Sequence, residues 1–351
     1  MMDGNVIVRH FEQEHYRVLF NQRTGFFMRC EDEGYPEPLW SNHGPELLDI
    51  SITNYCKRGC AFCYRSSSTS GKHMRLSEYA SIIGQACKMD VLQVALGGGN
   101  PNQHPEFIKI LELTRKSGIV PSFTTNGEGL SDAILDATAE FCGAMAVSYY
   151  PSNGNDFYDD LFARTSDCKI KTNLHLIIST STVDDIESLL EYPPSWFDKV
   201  NACVFLNYKP VGRGMGQGDK EILSCERAEE FFRKVSKTNK KIGFDSCSIS
   251  GIARWLDVRS ELVESCEAAR FSAFISEDLK MYPCSFMANT ESFGDLRKDR
   301  MADIWQSHPA FVKHREAIRK NSCIGCIHQA VCKGGCVFLP EINQCVWGGG
   351  T

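Results

Sequence analysis

No run of apolar residues in this chain approaches the roughly 20 needed to cross a bilayer, so no membrane partner is expected. The opening residues MMDGNVIVRHFEQEH contain neither the basic nor the apolar region of an export signal, which points to a cytoplasmic protein. There is no dense basic run and the net charge is -6, so the electrostatic footprint of a nucleic-acid binder is missing. Low-complexity segments and solenoid-period repeats are absent too. What remains is a chain of 351 residues, 42% hydrophobic, able to bury one large core plus a smaller module. Its partners are expected to be small molecules or peptides.

Cysteine is what the chain has in excess, 17 in all. In a reducing compartment that number implies metal binding or redox chemistry rather than disulfides. Seven of them (Cys30, Cys87, Cys142, Cys168, Cys203, Cys225 and Cys247) are scattered. They read as small buried hydrophobes, with Cys247 held open as a ligand.

Residues 1–45 carry the β-type runs VIVRHF, YRVLF and GFFMRC, a small antiparallel element. From 46 to 245, strand-like runs alternate with helical stretches: LLDISIT, VLQVAL, IVPSFTT, AMAVSYY, TNLHLIIST and ACVFLNY are the strands. Such alternation predicts an α/β fold, with six parallel units curling into a partial (β/α)6 barrel of the TIM type. Ligands then sit at the C-terminal strand ends. Ser77 or Ser131 suits a helix start, and Gly118 suits a stop. After the glycine-rich PVGRGMGQGDK, one long helix (CERAEEFFRKVSKTNKK) leads into a cysteine-rich remainder, 246–351, without βα alternation.

The segment ITNYCKRGCAFCYR places Cys56, Cys60 and Cys63 as CxxxCxxC directly after the first strand. Three thiolates at this spacing can wrap one 4Fe-4S cube and leave its fourth iron open. The competing zinc site needs a fourth ligand, and His73 is the nearest. Strand, CxxxCxxC loop with Phe62 before the last cysteine, then helix: this order resembles the radical S-adenosylmethionine (SAM) superfamily. The resemblance implies that the open iron binds SAM and that Phe62 flanks the adenine. Gly97, Gly98, Gly99 and Asn100 resemble the segment that meets the SAM amino group, with Asn100 where an acid is usual. Ser148 stands where related enzymes have a polar residue near the ribose, and Arg164 where they have an arginine near the carboxylate. Asn126, in TTNG at the mouth of the third strand, is expected to line the pocket.

A second signal is CIGCIHQAVCKGGC, which holds Cys323, Cys326, Cys332 and Cys336, followed by Cys345 and preceded by Cys266 and Cys284. Seven ligands exceed any single zinc site. They resemble the SPASM extension, which carries auxiliary 4Fe-4S clusters. That resemblance implies a distal cluster on Cys323, Cys326, Cys332 and Cys345, and a proximal one on Cys266, Cys284 and Cys336. The proximal set either takes a fourth cysteine, with Cys247 the candidate, or has an open iron. The family's usual glycine before the second cysteine is here Leu279.

SPASM-bearing radical SAM proteins mostly modify peptides or proteins, with a reductase, flavodoxin or ferredoxin as electron donor. The resemblance therefore implies hydrogen abstraction from a ribosomally made peptide, for cross-linking, epimerisation or oxidation. Ser285 replaces an acid found in sulfatase-maturing relatives, which lowers that option. Residues 1–45 offer a β-edge to a leader peptide by strand addition. Tyr149, Tyr150, His175 and Tyr208 lie near strand ends and are expected to pack. Two alternatives stand: radical chemistry on a small molecule, or an iron-sulfur electron carrier without SAM turnover.

Overall fold

The computed structural model describes residues 5–216, 218–259, 262–320, 323 and 325–345, so the outermost positions of the expected terminal modules lie outside it. Its first sheet is an antiparallel meander of β1 (Val6–Phe11), β2 (Tyr16–Asn21) and β3 (Phe27–Glu31). The main domain follows as β4 (Leu47–Thr53), α1 (Leu76–Lys88), β5 (Gln93–Gly98), α2 (Phe107–Lys116), β6 (Val120–Thr125) and α3 (Asp132–Phe141). It continues with β7 (Ala144–Ser148), α4 (Gly154–Asp167), β8 (Thr172–Ile178), α5 (Val183–Glu191), β9 (Cys203–Asn207), α6 (Cys225–Val235) and β10 (Ile242–Phe244). Beyond them lie α7 (Ile249–Trp255), β11 (Ser272–Ile275), β12 (Lys280–Tyr282), β13 (Gly294–Asp295), α8 (Met301–Ser307), α9 (Pro309–Lys320) and α10 (Gln329–Cys332).

Among the described residues the second sheet has ten strands in the order β10-β9-β8-β7-β6-β5-β4-β11-β12-β13. All six expected barrel strands are present and parallel. Two further strands extend the parallel set. The predicted long helix stops at Val235, and the chain then adds β10 beside β9. On the other side β11 pairs in parallel with β4, Ser272 opposite Leu47 through Ile275 opposite Ile50. The cysteine-rich module thus shares backbone hydrogen bonds with the barrel's first strand.

Period-2 burial explains the layers. On β8, Leu174, Leu176 and Ile178 are fully buried against the helices, while Asn173, His175 and Ile177 alternate on the opposite, inner face. The inner positions of β5 and β7 are small (Ala95, Gly97, Ala146 and Ser148), which keeps that side of the lumen open. Helix ends follow local chemistry. Ser131 caps α3 by accepting from the Ile134 amide, and Gly118 follows α2 with φ +82°. Ser77 is not a cap: Arg75 takes that place, and Glu78 reaches back to its amide. The polar stretch after β7 forms α4.

The three-stranded sheet packs beneath the barrel. Its Tyr16, Val18 and Phe20 form one core with Leu92, Val120 and Phe271, which lie at the N-terminal ends of β5, β6 and β11. Gln22 donates to the Gly118 carbonyl (2.9 Å), and Lys171 donates to the Thr24 carbonyl (2.7 Å). Arg29 on β3 is the anchor. Its guanidinium meets Glu46 (2.6 Å), Glu267 (2.9 Å) and Glu37 (3.2 Å) and lies 3.4 Å from the Phe271 ring centroid. Burial and the adjacent Glu267 push the Glu264 carboxyl up. Removing one partner of such a buried network costs about 3–5 kcal/mol. Arg29→Met is therefore expected to lower unfolding free energy in urea by that amount, and a loss below about 1 kcal/mol would contradict the anchor role.

Candidate active site

Parallel strands bring all their C-terminal ends to one rim, and the loop carrying Cys56, Cys60 and Cys63 leaves β4 there. The glycines of β5 are dictated by this loop. A Cβ on Gly98 would lie 2.1 Å from the Ser51 hydroxyl and the Thr53 carbonyl, and one on Gly99 would lie 2.0 Å from the Tyr55 carbonyl. The Gly99 amide donates to Thr53 O (2.6 Å) and the Asn100 amide to Tyr55 O (2.9 Å). Gly97 has a different use: its missing side chain leaves open lumen, with the Asp49 carboxylate 3.9 Å from where a Cβ would be. Burial raises that carboxyl to about 6, against the opposing pull of Arg65.

Asn100 is buried and spends its amide on the next loop. Its oxygen accepts from Thr125 Oγ1 (2.9 Å) and the Asn126 amide (3.1 Å), and its nitrogen donates to Glu128 O (3.2 Å). It therefore fixes Asn126, whose side-chain nitrogen lies 3.9 Å from Cys56 Sγ. Ser148 and Tyr150 reach the loop from the end of β7. The Tyr150 hydroxyl is 3.6 Å from Cys60 Sγ and also meets Ser148, and its ring lies parallel to Phe62 at 6.1 Å. Tyr150 thus belongs to the loop's wall rather than to general packing. Arg58 lies over that ring at 3.8 Å and pairs with Glu128 (3.1 Å).

Arg164 is placed differently from the other expected residues. It donates to Leu130 O (2.7 Å) and Asp132 (2.8 Å), and it lines an open cleft of about 490 Å³ with Gly127, Ser131 and Phe157. No cysteine lines that cleft. His73 bonds Thr53 Oγ1 (2.9 Å) and lies against the Tyr55 ring, so it is engaged away from the thiols. His175 faces the lumen, and burial holds its imidazole down near 4.

Sequence reasoning missed Arg213. It donates to Cys60 O (2.8 Å) and Ser67 O (2.7 Å), while its backbone amide donates to Cys63 O (3.0 Å). Gly212 must be glycine here, because its φ is +61° and a Cβ would sit 2.3 Å from Tyr64 O. The signal was visible as a cation between glycines where a barrel strand ends.

The cysteines expected as auxiliary ligands, with Cys247, fall into two groups. Burial raises the Cys284 and Cys247 thiols, and neighbouring thiols add to it: Cys266 and Cys336 at Cys284, Cys266 and Cys284 at Cys247. Burial, then Cys345 and Cys323, raise the Cys332 thiol, and the Cys326 amide donates to Cys323 O (2.9 Å). Among the described residues no three metal-ligating side chains stand at single-ion spacing. Gly335 (φ +72°) is required by Asn343, which accepts from the Cys336 amide at 2.8 Å. Leu279 adopts φ +64°, so the turn that glycine serves elsewhere is kept, at a cost of about 1–2 kcal/mol.

Residues 50–167 match the radical SAM superfamily pattern, over the cysteine loop and the glycine-rich strand end described above. The chain carries a radical SAM domain. In this enzyme a second match, to the SPASM iron-sulfur cluster-binding domain, covers residues 266–327. The mycofactocin maturase MftC of Mycolicibacterium smegmatis is 21% identical over 84% of this chain and 78% of its own length. The PqqA peptide cyclase of Xanthomonas oryzae pv. oryzae is 22% identical over 83% and 82%. Among solved structures, Streptococcus suis SuiB bound to precursor peptide SuiA superposes with a TM-score of 0.76, 15% identity and 98% coverage of both chains. Native anSMEcpe with AdoMet and Kp18Cys peptide gives 0.61 and 16%, over 83% of this chain and 89% of its own. These two structures establish the fold.

Arg213→Ala strands two loop carbonyls at roughly 1.5–3 kcal/mol per charge-assisted bond. Chelator should then strip iron from the Cys56 loop at least about tenfold faster than in the parent, since 1.4 kcal/mol is a factor of ten. An unchanged stripping rate would show that the latch is not needed.

Proposed function

We propose that this radical SAM enzyme modifies a ribosomally made precursor peptide, by cross-linking, epimerisation or oxidation of a side chain. The observation that carries this reading is the joining of a radical SAM barrel to an iron-sulfur module through β4 and β11, in a chain whose full-length relatives include a peptide cyclase. In this reading residues 46–245 form the catalytic barrel and 246–351 the auxiliary module.

The residues present fit the cofactors. Cys56, Cys60 and Cys63 supply three thiols and leave one iron of a cube for an outside ligand. The lumen beside them is kept clear at Gly97, Ala95 and Ala146. When bound, the 4Fe-4S cluster and SAM supply a 5′-deoxyadenosyl radical able to take hydrogen from an unactivated carbon. The protein's part is to hold and shield. Arg213, Gly98 and Gly99 fix the loop backbone, Phe62 and Tyr150 wall it, and Asn126 faces Cys56. Ser148 lies at the rim for a polar contact with SAM. Arg164, held to α3, acts through the Gly127–Ser131 turn.

Cys247, Cys266, Cys284 and Cys336 would hold the proximal auxiliary cluster, and Cys323, Cys326, Cys332 and Cys345 the distal one. Cys247 fills the fourth proximal place because it arrives at the end of β10 among the other thiols. All 17 cysteines are free, which suits a reducing cytoplasm and a flavodoxin or ferredoxin donor. Among the described residues no helix is long and apolar enough to cross a membrane.

Anaerobic reconstitution should give about 12 irons per chain and 5′-deoxyadenosine on reduction with SAM, three cubes of four irons each. Cys60→Ala should abolish the nucleoside, and Cys247→Ala should lower iron to about 8. Full nucleoside yield from Cys60→Ala would sink the enzyme reading; about 12 irons in Cys247→Ala would remove Cys247 from the ligand set.

The outer edges of β1 and β3 have no strand partner among the described residues, and Val8 and Met28 are exposed there. We propose that the leader segment of the peptide adds as a strand to this sheet. Adding the precursor peptide should slow hydrogen exchange along Val6–Phe11 or Phe27–Glu31. Unaltered exchange at both edges with the peptide bound would refute the docking.

A further inference from the structure

Lys209 is a buried lysine, 7% exposed, two residues past β9 and four before the Arg213 latch. Its ammonium is ion-paired with Asp245, which also accepts from the Asn207 amide (3.2 Å) and from Ser248 Oγ (2.8 Å). On its other side the ammonium lies 4.7 Å from the centroid of Phe286, two residues past Cys284. Phe286, Cys247 and Cys336 pack on one small core of Val211, Leu339 and Ile342. The cation end of the pair therefore faces the proximal thiols. The electrostatics agree: Lys209 opposes the raised thiols of Cys247, Cys284 and Cys336, and only for Cys247 does Asp245 act the other way, more weakly.

Burying an ammonium is costly, so this one needs nearby groups that repay the loss of water. Iron-sulfur potentials respond to net charge, hydrogen bonds and exposure around the sulfurs. A fixed cation at the wall of a cluster favours the state carrying one more electron. We propose that Lys209, oriented by Asp245, is a positioning charge that raises the reduction potential of the proximal auxiliary cluster. This rests on the reading that Cys247, Cys266, Cys284 and Cys336 hold that cluster.

The test is redox titration of the reconstituted full chain, followed by electron paramagnetic resonance, with iron content measured on each sample. Lys209→Met paired with Asp245→Asn removes the charges together, so that no buried carboxylate is stranded. Lys209→Arg keeps the cation. The neutral pair should shift one auxiliary midpoint downward by at least tenfold in the reduction equilibrium, 59 mV for one electron. Lys209→Arg should stay within twofold of the parent. An auxiliary signal present at full iron with an unmoved midpoint in the neutral pair would overturn the inference while leaving the cluster reading intact. A parent protein holding only about 4 irons, one cube, would overturn both.

Discussion

The architecture turns on one strand, β4, being hydrogen-bonded on both edges. Its β5 side brings the glycine run against the cysteine loop, and its β11 side brings in the SPASM module. A central strand is held in register by two ladders, so the loop that leaves it starts from a fixed backbone. Arg65, directly after the loop, pairs with Glu277 (2.7 Å) at the tip of the β11–β12 hairpin, and Glu277 also accepts from Ser51 of β4 (2.7 Å). The two iron-sulfur modules are therefore one mechanical unit.

Between the cysteine loop and the proximal thiols stands an apolar partition. Tyr64, adjacent to Cys63, meets Phe286 with ring centroids 5.0 Å apart, and Val211 packs beside them. The segment from Lys209 to Arg213 crosses the same region, one end over the Phe286 ring and the other bonded to the loop backbone. A low-dielectric wall of this kind strengthens each charge set into it. That is why a single lysine can matter more here than at the surface.

Much of this was legible in the sequence. The barrel strands were legible from runs such as LLDISIT and TNLHLIIST, because strand-like runs alternate there with helical stretches. The cysteine loop was legible because its chemistry needs adjacent residues. Contacts made across the fold were not: β11 looks like a short hairpin strand until β4 lies beside it, and four residues carry too little period to declare a parallel partner. Arg213 and Tyr150 were hidden for the same reason, since their roles come from what strand ends bring together. Asn100 shows the reverse. It was expected beside the SAM amino group, whereas its amide is spent on Thr125, Asn126 and Glu128, a fact that only packing reveals.

The small sheet under the barrel lies at the end opposite the cysteine loop, locked there by Arg29 and by its contacts with Leu92, Val120 and Phe271. Seven residues of β4 at about 3.3 Å each set roughly 23 Å between the two ends. A peptide gripped at the sheet must span that height before any of its side chains reaches the rim. Tether length then becomes a selection rule: residues closer to the gripped segment than about seven extended positions are out of reach, whatever their chemistry. Under the proposed docking the barrel would work as a ruler, choosing its target by distance along the chain as well as by side-chain identity.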